Sequence, residues 1–385
     1  MKKVMVLGAG KIGTTISDFL VHSGDYHVTI ADQSTDSLDR IDDAPFIEKC
    51  SLDVTDKQAL VKSMHGHFAV LSAMPFNVTR NVALAAAEAH IHYLDLTEDV
   101  ETTNIVKNLA QKSDRSFIPQ CGLAPGFITI IAYELAKHFD TLEDVHMRVG
   151  ALPKYPSNAL KYNLTWSTDG LINEYCNPCE AIVAGQLKQV PALEEHETFS
   201  LDGISYEAFN TSGGLGTLCD TLNGKVQNLN YRTVRYPGHR DIMKMLLHDL
   251  RLKDRQDLLK QIMEEALPIT LQDVVLVFVN VSGKKDGIFI QETYVNKIYS
   301  QEIFGKLRSG IQITTAAGIC TVLDLLATGV LPQRGLVKQE DIQFDDFINN
   351  RFGRYYAKHP KSGIIADEND TSEKSNTLNS NDKAA

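Results

Sequence analysis

Short, wholly apolar runs alternate with longer amphipathic ones over the first third of the chain. Residues 4–7 have the pattern of a strand buried on both faces, and residues 12–23 that of a helix with one apolar stripe. Residues 27–31, 69–73, 92–96 and 116–119 repeat the strand pattern, and 81–89 is an alanine-rich helix. Strands of this kind separated by helices predict a parallel sheet covered on both faces. The pattern changes after Gly122. Residues 127–138 read as one helix, and strand-like runs follow at 145–149, 162–166, 274–281 and 288–295, with hairpin-style loops such as 282–287. Asn163 and Thr165 fall on one face of the second run and suit a polar pocket, while Trp166 is expected in the core. Helix returns over 310–328, where small residues (Thr314, Thr315, Ala316, Ala317, Gly318) suit close packing. Residues 366–385 hold almost no large apolar side chain and are expected to be disordered.

One motif interrupts this pattern with chemistry. Gly8-Ala9-Gly10-Lys11-Ile12-Gly13 sits between the first strand and the first helix. Gly8 permits a tight turn, Gly10 lets the backbone approach a pyrophosphate, and Gly13 lets helix and strand pack closely. The helix N-terminus beyond it offers free N–H groups to phosphate. Asp32, after the second strand, suits the adenosine ribose hydroxyls and repels a 2′-phosphate. Gln33, Ser34 and Thr35 supply no arginine to bind one, so NAD is favoured over NADP. Asp53 follows the third strand near the expected adenine, with a helix cap as the alternative. Ser72, Ala73, Met74 and Pro75 end the fourth strand on the nicotinamide side.

The expected fold is therefore α/β: a Rossmann doubly wound parallel sheet over 1–122, and an α+β substrate domain with a largely antiparallel sheet over 123–309. A segment at about 310–355 is expected to return to the first domain.

The bulk composition excludes several functions. The chain has 385 residues and a formal net charge of −11, with no basic patch, which argues against nucleic acid. The apolar run near the N-terminus is too short for a signal core. Every later apolar run is read as interrupted by Asp, Lys or His, so no membrane span and a cytoplasmic location are expected. Six scattered cysteines form no disulfide framework. Cys176 and Cys179 have CxxC spacing but lack two further zinc ligands, so no metal is expected.

Further stretches carry a family resemblance. Cys121-Gly122-Leu123-Ala124-Pro125-Gly126, Asn210-Thr211-Ser212-Gly213-Gly214 and Thr233-Val234-Arg235-Tyr236-Pro237-Gly238-His239 resemble, in that order, the saccharopine dehydrogenase-like oxidoreductases, most closely the bacterial L-lysine 6-dehydrogenases. The resemblance implies hydride transfer from a carbon bearing nitrogen to a nicotinamide, on a small amino-acid substrate. A homo-oligomer is expected. Lysine would give 2-aminoadipate 6-semialdehyde and ammonia. Saccharopine- or carboxynorspermidine-type reduction, and NAD binding without turnover, are the alternatives. Amine oxidation needs a group that accepts a proton near neutral pH. His239, Asp95 and Tyr236 are the candidates. Arg235 suits the substrate carboxylate, and Ser212 and Gly213 offer further donors.

Overall fold

The computed structural model describes residues 1–357; the tail expected to be disordered lies outside the described residues. Six parallel strands and five crossover helices alternate: β1 (Lys2–Leu7), α1 (Lys11–His22), β2 (Tyr26–Asp32), α2 (Thr35–Asp39), β3 (Ile47–Ser51), α3 (Lys57–Met64), β4 (Ala69–Ser72), α4 (Phe76–Glu88), β5 (His92–Asp95), α5 (Val100–Ala110) and β6 (Ser116–Ile118). Their order across the sheet is β6-β5-β4-β1-β2-β3, extended at the β6 edge by a late two-residue strand, Gly335–Leu336. Val4 to Leu7 are fully buried, as strands covered on both faces require. The order reverses between β1 and β4. Ligands of such sheets bind outside the carboxyl ends of the strands at this reversal.

After α6 (Phe127–Ala136), the chain builds a second sheet from β7 (Thr141–Pro153), β8 (Cys179–Val183), β9 (Gln186–Val190), β10 (Glu197–Leu201), β11 (Ile204–Asn210), β12 (Val226–Arg235), β13 (Asp273–Lys285) and β14 (Ile288–Tyr299). β7 and β12 pair in parallel, and the other pairings are antiparallel. Residues 162–166 are not a strand. Leu164 makes one isolated bridge to Ile269, and its N–H reaches the Pro268 carbonyl at 2.9 Å. Tyr162 and Leu164 are instead buried with Leu171 and Tyr175 of α7 (Thr168–Cys176) and Met243 of a later helix. Helix packing has taken the apolar side chains that a ladder would have used. Trp166, expected in the core, is half-buried.

Three shorter helices, α8 (Leu218–Leu222), α9 (His239–Lys244) and α10 (Gln256–Ala266), precede α11 (Gly310–Ala327). By length and composition α11 passes for a membrane span even though Asp324 interrupts it, which corrects the reading that no stretch approaches one. Here 83% of it is buried inside the protein. A Cβ on Gly318 would sit 2.6 Å from the Cys121 carbonyl oxygen, so only glycine allows this approach. α11 packs along α1: Cys320 meets the Ile16 carbonyl, and Asp324 accepts from Tyr26 (2.7 Å) and Arg351 (2.6 Å). Phe19 of α1 stacks on Tyr355 and Phe352, with ring centroids 5.0 and 6.3 Å away.

Candidate functional site

The glycine loop closes over the carboxyl ends of β1 and β4. Gly8 has φ +100°, and a Cβ there would lie 2.8 Å from the Ala73 carbonyl oxygen; on Gly13 it would lie 1.8 Å from that of Gly8. Above Gly10 there is open space, with nothing within 4 Å of an added Cβ. α1 starts there with no side-chain cap and no acid in its first turn, so its leading N–H groups are free for an anion. Asp32 Oδ2 accepts from the Ala9 N–H at 2.7 Å and Oδ1 from the Ser34 N–H at 2.8 Å. The carboxylate thus fixes the loop from the end of β2. These residues fit a dinucleotide. Ser72 is buried behind the loop, and Asp53 is exposed, its Oδ1 accepting from Thr55 N–H and Oγ1 within its own turn. Asp56 supplies the α3 cap instead, accepting from the Ala59 N–H at 3.0 Å.

A cavity of about 420 Å³ runs from this loop to the second sheet. Gly10, Lys11, Ile12, Gly13, Ala73, Met74 and Pro75 line it on one side, and Thr165, Trp166, Glu174, Tyr231, Thr233 and Arg235 on the other, with Glu98 beyond the end of β5. Arg235, the last residue of β12, is 2% exposed. Its Nε donates to the Tyr175 hydroxyl and its Nη1 to the Val234 carbonyl, both at 2.9 Å. The guanidinium lies 5.3 Å from the Tyr162 ring centroid and 5.9 Å from that of Tyr175. Among the described residues no carboxylate pairs with it. Burial raises the Glu98 carboxyl to about 7, with the Asp99 and Asp95 charges adding to it. Glu174 is pushed well above the carboxylate range by burial and then by Glu98, against the pull of Arg235.

Other residues singled out in the sequence lie elsewhere. His239 is not on a loop: it opens α9 behind Gly238, whose φ of +98° makes the turn, and it is fully buried. Its Nε2 meets the Tyr175 hydroxyl at 3.0 Å and its Nδ1 the Leu160 carbonyl at 2.9 Å. Burial, followed by the Arg235 charge, lowers it to about 3, so it is neutral. It does not line the cavity; it braces Tyr175, which braces Arg235. Tyr236 donates to the Pro153 carbonyl at 2.9 Å, away from the cavity. Asp95 is fully buried, accepting from Gln120 N–H (2.7 Å), Thr97 N–H (3.1 Å) and Tyr93 hydroxyl (2.6 Å); it ties together the loops after β5 and β6. Asn163 meets Asn158 at 3.4 Å, and the Ser212 N–H meets the Glu174 carbonyl at 3.1 Å. Gly213 abuts the Glu98 backbone, where a Cβ would lie 2.5 Å from the carbonyl oxygen. Cys176 and Cys179 are buried free thiols, and no metal-holding cluster occurs among the described residues.

Glu98 and Glu174 are what sequence reasoning missed. Glu174 had a signal: it lies three residues after buried Leu171 on the same helix face, where a carboxylate is out of place. Glu98 had none, lying in an acidic loop that reads as a helix entry.

Comparison with known proteins agrees with this fold. Residues 4–118 match the model of the saccharopine dehydrogenase NADP binding domain, and residues 122–354 that of the saccharopine dehydrogenase C-terminal domain. A saccharopine dehydrogenase (NADP⁺, L-glutamate-forming) of Saccharomyces cerevisiae is 23% identical over 271 residues, covering 66% of this chain and 59% of its own. The mitochondrial alpha-aminoadipic semialdehyde synthase of Mus musculus is 24% identical over 196 residues, 49% of this chain and 21% of its own. The chain thus spans between a fifth and three fifths of these relatives. The apo structure of the L-Glu-forming saccharopine dehydrogenase from Saccharomyces cerevisiae shares the fold. It has a TM-score of 0.75 and 17% identity, with 92% of this chain and 96% of that one covered.

Proposed function

Since this chain belongs to the saccharopine dehydrogenase family, we propose that it is an NAD-dependent oxidoreductase acting on a C–N bond of an amino acid. The favoured reaction is oxidation of lysine at its terminal amine to 2-aminoadipate 6-semialdehyde and ammonia. The supporting observation is Arg235, a buried guanidinium held by neutral partners and facing the cavity. A buried cation without a counter-ion is costly, and a substrate carboxylate completes it with a bidentate pair. A substrate joining two amino acids needs a second carboxylate site. Arg235 is the one arginine lining the cavity among the described residues, which favours the single amino acid. The saccharopine reading rests on the names of the relatives.

The bound nicotinamide supplies the hydride acceptor. Glu98 takes the proton that the ammonium must lose before hydride leaves its carbon, and a titration near 7 suits that task. Water then hydrolyses the resulting iminium. Arg235 fixes the far end, which aligns the reacting carbon. The test is an absorbance assay at the nicotinamide band with lysine, saccharopine, ornithine and carboxynorspermidine, each with NAD and NADP. Activity with saccharopine and none with lysine reverses the substrate assignment, and no turnover of any of the four leaves a nucleotide-binding protein without this activity.

Asp32 supports NAD, while the matched domain model and the yeast relative carry NADP in their names. The wild type is expected to bind NAD more tightly than NADP. Asp32→Ala should weaken NAD and lower the NAD-to-NADP preference, since it removes the ribose ligand and the anchor of Ala9 and Ser34. Nucleotide titrations decide it, and a tenfold wild-type preference for NADP overturns the assignment.

A further inference from the structure

One buried group of the cavity has no task in this scheme. Glu174 lies on α7 beside Tyr175, whose hydroxyl accepts from Arg235. It is 6% exposed and lines the cavity. Its carboxyl has neither a hydrogen-bond partner nor a paired cation among the described residues. A carboxyl buried this way costs free energy that a partner would recover. Arg235 is near enough to oppose the rise in Glu174's affinity for a proton, yet the two form no ion pair within 4.0 Å. A direct pair would satisfy both groups and close the site. The gap instead leaves a carboxyl group and a guanidinium side by side, each facing the same cavity and each short of a partner.

We infer that Glu174 receives the α-ammonium group of the substrate, so that Glu174 and Arg235 together recognise an amino-acid head group as a zwitterion. The inference rests on the proposed amino-acid substrate. The ammonium and carboxylate of such a head group sit on one carbon, so their ligands must be neighbours, as the ends of α7 and β12 are here through the Tyr175–Arg235 bond. Glu98 approaches from the nucleotide-binding side and is left free for the reacting nitrogen. The substrate class is then an α-amino acid with a free head group, and amines or acids carrying only half of it are discriminated against.

The probes are norleucine, which has the head group and no terminal nitrogen, and hexanoate, which lacks the α-amine. Binding is measured by calorimetry on the full chain saturated with NADH. The wild type is expected to prefer norleucine by about 10- to 100-fold, the scale of one charge-assisted bond. Glu174→Gln keeps shape without charge and should bring norleucine down to the level of hexanoate, with NADH binding and melting temperature unchanged. Glu174→Asp should restore part of the preference, which separates a lost charge from a misfolded helix. A wild type that does not favour norleucine, or a Glu174→Gln protein that still does, overturns the inference. Lysine turnover is followed in parallel. Its absence, with the norleucine preference collapsing in Glu174→Gln, rejects the lysine reaction and supports the head-group site. Normal lysine turnover in Glu174→Gln with the preference intact does the reverse.

Discussion

Replacing Glu98 with glutamine is expected to lower kcat about 10²- to 10⁴-fold, the contribution of a positioned general base. NADH binding should be unchanged, since the glycine loop lies on other strands. The pH profile carries the sharper signature. Burial, then the charges of Asp99 and Asp95, raise Glu98 to about 7. Only its ionised form accepts a proton, so wild-type kcat/KM should rise with pH through about 7 and level off above. That limb should vanish in Glu98→Gln. Stability moves the opposite way. A carboxyl whose affinity for protons is raised by folding makes the folded state bind more protons than the unfolded one. Its contribution therefore falls as pH rises from the ordinary carboxylate range to about 7, and is constant beyond. Glu98→Gln should remove this slope and melt no lower than wild type at pH 8. An active variant with the wild-type acid limb removes Glu98 from the chemistry.

Arg235→Ala should raise the apparent KM for the substrate by roughly 30- to 1000-fold, from about 2–4 kcal/mol of lost binding to a partly dry site. Arg235→Lys should recover only a part, because an ammonium cannot make the two parallel bonds of a guanidinium. The arginine also bonds Tyr175 and lies near two aromatic rings, so thermal melting must accompany the kinetics. A folded, NAD-binding Arg235→Ala enzyme with a wild-type KM removes Arg235 from the substrate site.

The two halves of the site were unequally legible in the sequence. The glycine loop could be read because its constraint is local: three glycines, a strand before and a helix after. Arg235 could be proposed because an amino-acid carboxylate calls for a guanidinium fork and this arginine lies in a stretch that resembles the family. Glu98 and Glu174 come from different domains and meet only across the cavity, a relation that no spacing encodes. His239 misled because Pro237-Gly238 reads as a loop, whereas Gly238 starts a helix by adopting the left-handed conformation. Residues 162–166 misled for a related reason. Alternation over five residues specifies which side chains are buried, and here a helix cluster buries them instead of a sheet.

The packing of α11 on α1 bears on how the chain matures. Ile16, Phe19 and Leu20 of α1 are buried in a core that includes Ile319, Cys320 and Leu323 of α11, with Phe352 beyond it. A nascent chain emerging from the ribosome completes all six crossover-linked strands by residue 118, yet its first helix keeps a bare apolar flank until more than two hundred further residues have been synthesised. During that interval the nucleotide loop, anchored at the head of the same helix, stands on a half-covered support. The dinucleotide, by binding there, would be the earliest available brace. Fragments ending near residue 122 should accordingly be sticky, and less so when NAD is present.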